Sequence, residues 1–305
     1  LDGHPCGSEM SKFSKFIVAA AASLALGAAQ ADVVIDLFNG TQGPVTSGTS
    51  DNSGTMQYAA EYGPDNTVAG LYRDIGVQKT GTGNVGGVNG VTSLEVENGS
   101  LNWAIAGNTR SRAIVRWDGL SGTTAGANTA GTVVAGAGPS GHYTSNGLDT
   151  GLGLNLDAND SFQFDVLFSD VNFNFWLELY DANGNYSKIK FEAQSHINST
   201  STPIPIAAFI GQCLALGGPG EYSDAGDLDN DDVIAGACSA AAFDPTQLTA
   251  IQFIMETKDG CNGAECSVDL AISAVNVVPE PGALALVGLG LLGAAGAGAR
   301  RRRTV

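Results

Sequence analysis

Alternation with period two is the feature that most limits what this chain can become. Phe162, Phe164, Val166 and Phe168 alternate with Gln163 and Asp165, and after Ser169-Asp170 come Val171, Phe173, Phe175, Leu177 and Leu179. Side chains that swap faces at every residue belong to strands buried on one side, and these two runs read as an antiparallel pair. Asp181-Ala182-Asn183-Gly184-Asn185 then supplies a tight turn, its Asn-Gly accepting positive φ, and the chain returns through Tyr186 to Phe191 as the third strand of a meander. Further strands are expected at 33–38, 91–97, 101–106, 113–117, 251–256 and 268–277. No stretch between Ala31 and Pro279 keeps a long 3.6-residue period, and Ile204 to Leu216 fits a short helix or a strand. The sum is an all-β fold, an antiparallel β-sandwich of jelly-roll type, and not a parallel α/β sheet. Thr80 to Gly90 and Ser121 to Ser145, rich in Gly, Ser and Thr, read as surface loops.

Both ends of the chain depart from this pattern. From Met10, two lysines, Lys12 and Lys15, precede an apolar run from Phe16 to Ala28, and Ala29-Gln30-Ala31 follows. That order is a secretory signal peptide, with cleavage expected between Ala31 and Asp32; residues 1–9 fit no part of it. At the other end Val278-Pro279-Glu280-Pro281 leads into an uncharged stretch, 282–299, and then Arg300, Arg301, Arg302 and Arg303. Eighteen helical residues rise about 27 Å, enough to just span a bilayer as a transmembrane helix. Six of them are glycine, which suits a transient anchor. The arginines keep the cytoplasmic side and place everything before Gly282 outside. The division is therefore residues 1–31, an exported domain at 32–277 and a tail at 278–305.

The Pro-Glu-Pro, the weak span and the arginine cluster resemble the PEP-CTERM sorting signal, the motif through which exosortases recognise their substrates. The resemblance is confined to the last part of the chain. It implies a Gram-negative bacterium that makes extracellular polysaccharide, export through the general secretion machinery and transient residence in the inner membrane. Cleavage near Pro279 to Pro281 by an exosortase cysteine would then deliver the domain to the cell envelope or extracellular matrix. An ordinary C-terminal anchor with a proline-rich stem is the competing reading.

Between Asp32 and Val278 the chain carries 28 Asp and Glu against 8 Lys and Arg, a balance of −20. A surface of that sign repels phosphate backbones and excludes nucleic acid as a partner. Cys213, Cys238, Cys261 and Cys266 make an even set in a chain bound for an oxidising compartment, and two disulfides follow, with 213–238 and 261–266 the favoured pairing. Asp227, Asp229 and Asp231 alternate so that three carboxylates can meet one hard cation, a candidate calcium site beside the plainer reading of a solvated acidic loop. No other cofactor is called for. The glycine string 81–86 lacks the strand and helix that a dinucleotide site needs. His142 and His196 stand in no nucleophile or metal motif. Tyr143, Trp117 and Trp176 are candidates for stacking on sugar rings, burial being the commoner fate of tryptophan. The expectation is a non-enzymatic surface or matrix protein, structural or binding extracellular polysaccharide; the alternative is a secreted, glycosidase-like polysaccharide-modifying enzyme.

Overall fold

The computed structural model describes residues 32–47, 56–82, 90–107, 109–119, 151–215, 220–223, 233–239, 242–257 and 267–279. Its strands are β1 (Val33–Asp36), β2 (Gln42–Ser47), β3 (Gln57–Tyr58), β4 (Asp74–Thr82), β5 (Thr92–Glu97), β6 (Ser100–Ile105), β7 (Thr109–Trp117) and β8 (Asp160–Ser169). They continue with β9 (Phe173–Asp181), β10 (Tyr186–Ala193), β11 (Thr200–Pro205), β12 (Gly220–Ser223), β13 (Val233–Cys238), β14 (Leu248–Thr257) and β15 (Asp269–Pro279). One helix, α1 (Ile206–Ala215), follows β11, so the segment that fitted either element is split, with Ile204 closing a strand and Ile206 opening the helix.

Seven strands form one sheet, ordered β11-β8-β15-β6-β5-β2 with β1 beside β15, and eight form the other, ordered β12-β13-β10-β9-β14-β7-β4-β3. The strand pairs in both are antiparallel. The two sheets face each other as a sandwich, and Val33–Val278 is one compact unit. Phenylalanines close the space between the sheets. Phe164 of β8 stacks on Phe253 of β14 at 4.8 Å, and Phe175 of β9 stacks on Phe191 of β10 at 5.0 Å. Phe209 of α1 meets Phe162 edge-on at 6.4 Å. Each buried ring contributes about 1.5–3 kcal/mol of burial, and each such pair adds about 0.5–1.5 kcal/mol.

The β9–β10 hairpin forms as its sequence demands. Asp181 Oδ1 accepts from the N–H groups of Asn183 and Asn185, and Gly184 takes φ 78°. The expected β8–β9 pair does not form, because β8 lies in the seven-stranded sheet and β9 in the other. Ser169 is the reason. Fully buried, it exchanges backbone hydrogen bonds with His196 at 2.8 and 2.9 Å and donates from Oγ to Val171 O, turning the chain across the sandwich. The inward alternation of β8 ends with it, so Phe168, assigned to the core face, is 37% exposed. Nor is β9 half-buried, since all its residues are withdrawn from solvent.

Two boundaries also move. Thr80 to Thr82, read as loop, complete β4, while the remainder of 80–90 up to Gly90 and all of 121–145 lie outside the described residues. The last strand runs past Val277 to Pro279 and is held by the first, Val33 standing opposite Val277.

Candidate binding face

Register places the outward residues of the eight-stranded sheet in rows. Asp74, Arg116, Gln252, Glu178 and Lys188 face one another in succession across β4, β7, β14, β9 and β10. A second row runs Gly76, Ile114, Ile254, Trp176 and Lys190, and a third Gln78, Arg112, Glu256, Asn174 and Glu192. Tyr180 stands opposite Tyr186 beyond the first row, and Tyr58 lies opposite Gly76 at the end of the second. The middle row is apolar up to Lys190 at its end, with Met56, Ile114, Trp176 and Ile254 packed together and Tyr58 against them. The rows on either side are polar. Strand alternation alone produces this division, since Phe175, Leu177, Val115 and Phe253 point the other way into the core.

Each polar row has its own charge centre. Glu256 accepts from Arg112 Nε at 2.6 Å and Trp176 Nε1 at 3.3 Å, and Lys190 Nζ lies 3.6 Å away. In the first row Glu178 Oε2 accepts from Tyr180 OH at 2.7 Å and Gln252 Nε2 at 2.9 Å, while Arg116 Nε donates to Gln252 at 3.1 Å. Burial pushes Glu178 up to about 7 from the ordinary 4.5, against the pull of these partners, and drives Tyr180 well above its usual value. Lys188 lies 5.4 Å over the Trp176 ring and 5.9 Å over Tyr186. Asn174 Oδ1 is buried and accepts no hydrogen bond. Most of these side chains are under a tenth exposed; Tyr58, Tyr186 and Glu192 are the more accessible ones.

Five of the unit's eight basic residues, Arg110, Arg112, Arg116, Lys188 and Lys190, lie on this face with four carboxylates, Asp74, Glu178, Glu192 and Glu256. The face is thus close to neutral in a strongly acidic unit. Basic residues an even number of positions apart, Arg110, Arg112 and Arg116 and then Lys188 and Lys190, were the signal available in the sequence.

The residues singled out from sequence fare variously. Trp117 is no stacking platform, because it points into the core, wholly buried, and its Nε1 donates to Asp36 at 2.8 Å. Trp176 does lie on the outward face, but at 5% exposure it offers no open ring. Cys238 ends β13, buried and disulfide-bonded. Its partner's side chain is outside the described residues, as are Cys261 and Cys266, so the pairing stays an expectation. Asp227, Asp229 and Asp231 are outside them too, with Ala29, Ala31, Tyr143, His142, Glu280, Pro281, the span 282–299 and Arg300 to Arg303. Among the described residues no metal-binding cluster occurs and no helix is long and apolar enough to cross a membrane. Asp32 is exposed at the head of β1, and Val278 and Pro279 are half-buried at the end of β15.

None of the curated proteins matches the chain in sequence. Among solved structures it is similar to an exo-β-agarase, at 12% identity and a TM-score of 0.37, covering 82% of this chain and 25% of that one. A second, the agarase AgWH50C, is 11% identical over 62% of this chain with a TM-score of 0.32, and the chain spans only 22% of its length. The family 11 carbohydrate-binding module of a Clostridium thermocellum cellulosomal cellulase is 11% identical with a TM-score of 0.33, covering 83% of this chain and 96% of the module. Likeness at that level identifies neither ligand nor activity. The tail is another matter: residues 277–303 match the model of the PEP-CTERM protein-sorting motif, which begins within the last turn of pleat of β15. The chain therefore carries a PEP-CTERM sorting signal and is an exported protein.

Proposed function

We propose that this protein is a non-catalytic component of the cell envelope or extracellular matrix, a jelly-roll-like sandwich that binds polysaccharide along the outward face of β7, β14, β9 and β10. An exosortase would process it at Pro279 to Pro281 after secretion and transit through the inner membrane. The observation that carries the binding reading is the neutral, row-ordered face within an acidic unit. Strand spacing of about 4.8 Å sets donors, acceptors and rings at intervals along which an extended glycan can lie, and the local charge balance admits an acidic polysaccharide that the remaining surface repels.

One observation favours the enzymatic alternative, the proton that Glu178 holds near neutral pH, as a general acid does. Among the carboxylates described on this face, Glu256 is the candidate partner. Glu256 lies four residues out of register with Glu178, roughly 14 Å away at the backbone, beyond the roughly 5–9.5 Å separating glycosidase carboxylates. A glycan array probed with the exported protein, with and without calcium, tests the proposal: salt-sensitive retention of a polysaccharide without new reducing ends supports it, and silence removes the binding reading. Glycan shortening that disappears in Glu178→Gln would favour the enzyme. For the processing step, Pro279, Glu280 and Pro281 replaced by alanine should leave an uncut membrane-bound precursor in a host with active exosortase.

A further inference from the structure

A cleft of about 510 Å³ opens between the sheets where β8 and β11 face β9 and β10. Its floor is phenylalanine, from Phe164, Phe173, Phe175, Phe191 and Phe253, with Ile272 beside them. Gln194 and His196, in the link between β10 and β11, and Thr200, which opens β11, also line it. So do Ile204, near the other end of β11, and Ala208 of α1. Along β11, four residues separate Thr200, opposite Val166, from Ile204, opposite Phe162, so the long axis is roughly 13 Å. Protein interiors seldom leave room for more than a water, and a phenylalanine chamber offers water few hydrogen bonds. A volume in this range with few polar groups in its lining is the form of a small-molecule site.

The mouth adds a second observation. Ile197 is 83% exposed next to His196, and Leu167 and Phe168 are 42% and 37% exposed where β8 passes Thr200 and His196. Exposed apolar side chains adjacent in sequence to the lining residues Val166 and His196 extend the apolar surface beyond the chamber, as an acyl or alkyl chain would need on its way in. Glu192 also lines the cleft, and the unit carries a large negative charge, so a carboxylate or phosphate head is disfavoured at this mouth. Gln194, His196 and Thr200 instead supply donors and acceptors for hydroxyls.

We infer that this cleft binds a single-chain amphiphile with an uncharged hydroxylated head, its chain on the phenylalanines and its head at Gln194, His196 and Thr200. The cleft lies between the sheets, touching the polar face only at Glu192, and the inference is independent of the polysaccharide proposal. The full chain in nanodiscs, exposed to a decyl maltoside with a photoactivatable diazirine in its alkyl chain, provides the test. Mass mapping should find the label on peptides from β8, β10 and β11, displaced by excess decyl maltoside, and at least about tenfold weaker with a matched fatty-acid probe. Ala208→Trp, filling the far end, should lower labelling by about tenfold with unchanged far-ultraviolet dichroism and urea midpoint. Thr200→Val, conservative in shape, should weaken the maltoside probe about threefold and leave a head-less alkane probe unaffected. Labelling confined to other regions, equal capture of the fatty acid, or indifference to both substitutions would overturn the inference.

Discussion

Two buried ionic clusters lie on opposite sides of the β4–β7 pair, and they are finished differently. Inside the sandwich, Arg73 and Asp36 are wholly buried, and every polar side-chain atom of the pair has a partner. Arg73 NH1 reaches Asp36 at 2.8 and 2.9 Å, Nε donates to Gln42 and NH2 to Gly40 O, while Trp117 and the Phe38 N–H close the Asp36 carboxylate. The guanidinium also sits 4.7 Å over the Tyr62 ring. On the outer side, Glu256 is shared among Arg112, Lys190 and Trp176, Glu178 is pushed towards neutrality, and Asn174 Oδ1 is left over. A network in which every polar atom has a partner fixes loops to a core, even though burial raises Asp36 above its ordinary value. One with a spare acceptor and a proton to give is arranged for something further.

Breaking the inner cluster should have the largest effect. Arg73→Ala strands the Asp36 carboxylate in the core, and the expected loss is about 3–5 kcal/mol in urea denaturation. The paired change Asp36→Asn with Arg73→Met should cost less than Arg73→Ala alone, since no charge is then left without a partner. If both variants lose equally, packing and not charge holds this end together.

On the outer face the comparable test is pH. Glu178 holds its proton to about 7 when folded against an ordinary 4.5, so the folded state binds that proton more tightly than the unfolded one. Its contribution to stability is complete below about 4.5 and is lost as pH rises through about 7, on the order of 3 kcal/mol in all. Glu178→Gln should flatten that part of the stability profile. A slope of the same size in the variant would assign the titration elsewhere. Glu256→Gln, which weakens the Arg112 and Lys190 contacts but keeps an acceptor for Trp176, should cost about 1–3 kcal/mol at pH 8.

How much of this was readable beforehand depended on distance along the chain. The sorting signal is local, with Pro279, the span and Arg300 to Arg303 following one another, so sequence was enough to name it. The Asn183-Gly184 turn was local too. Alternation told which of Phe162 to Leu179 face inward, Phe168 excepted, but not that Ser169 sends β8 and β9 to different sheets, because the partner that turns it is His196. The outer face was illegible for the same reason. Arg112 and Glu256 meet across 144 residues of sequence, and only the registers of β7, β14 and β9 align their rows. Trp117 was misplaced because a tryptophan's face follows from strand register, which composition does not carry.

Lys188→Met should have the smallest effect on stability and is the sharpest separation of the two clusters. The ammonium lies over Trp176 and Tyr186 at 5.4 and 5.9 Å, distances at which a cation–π contact contributes about 0.5–1 kcal/mol, and methionine retains most of the apolar stem. The expected change in urea midpoint is therefore slight, a fraction of that for Arg73→Ala. Ligand binding should respond differently. With Lys188 gone the face loses one of its five cations and the slight excess of positive charge they give it, so retention of an acidic polysaccharide should fall and depend less steeply on salt, while a neutral glucan is held as before. A loss of stability as large as that of Arg73→Ala would make the outer rows a second core, and the contrast between a sealed cluster and an open one would fail.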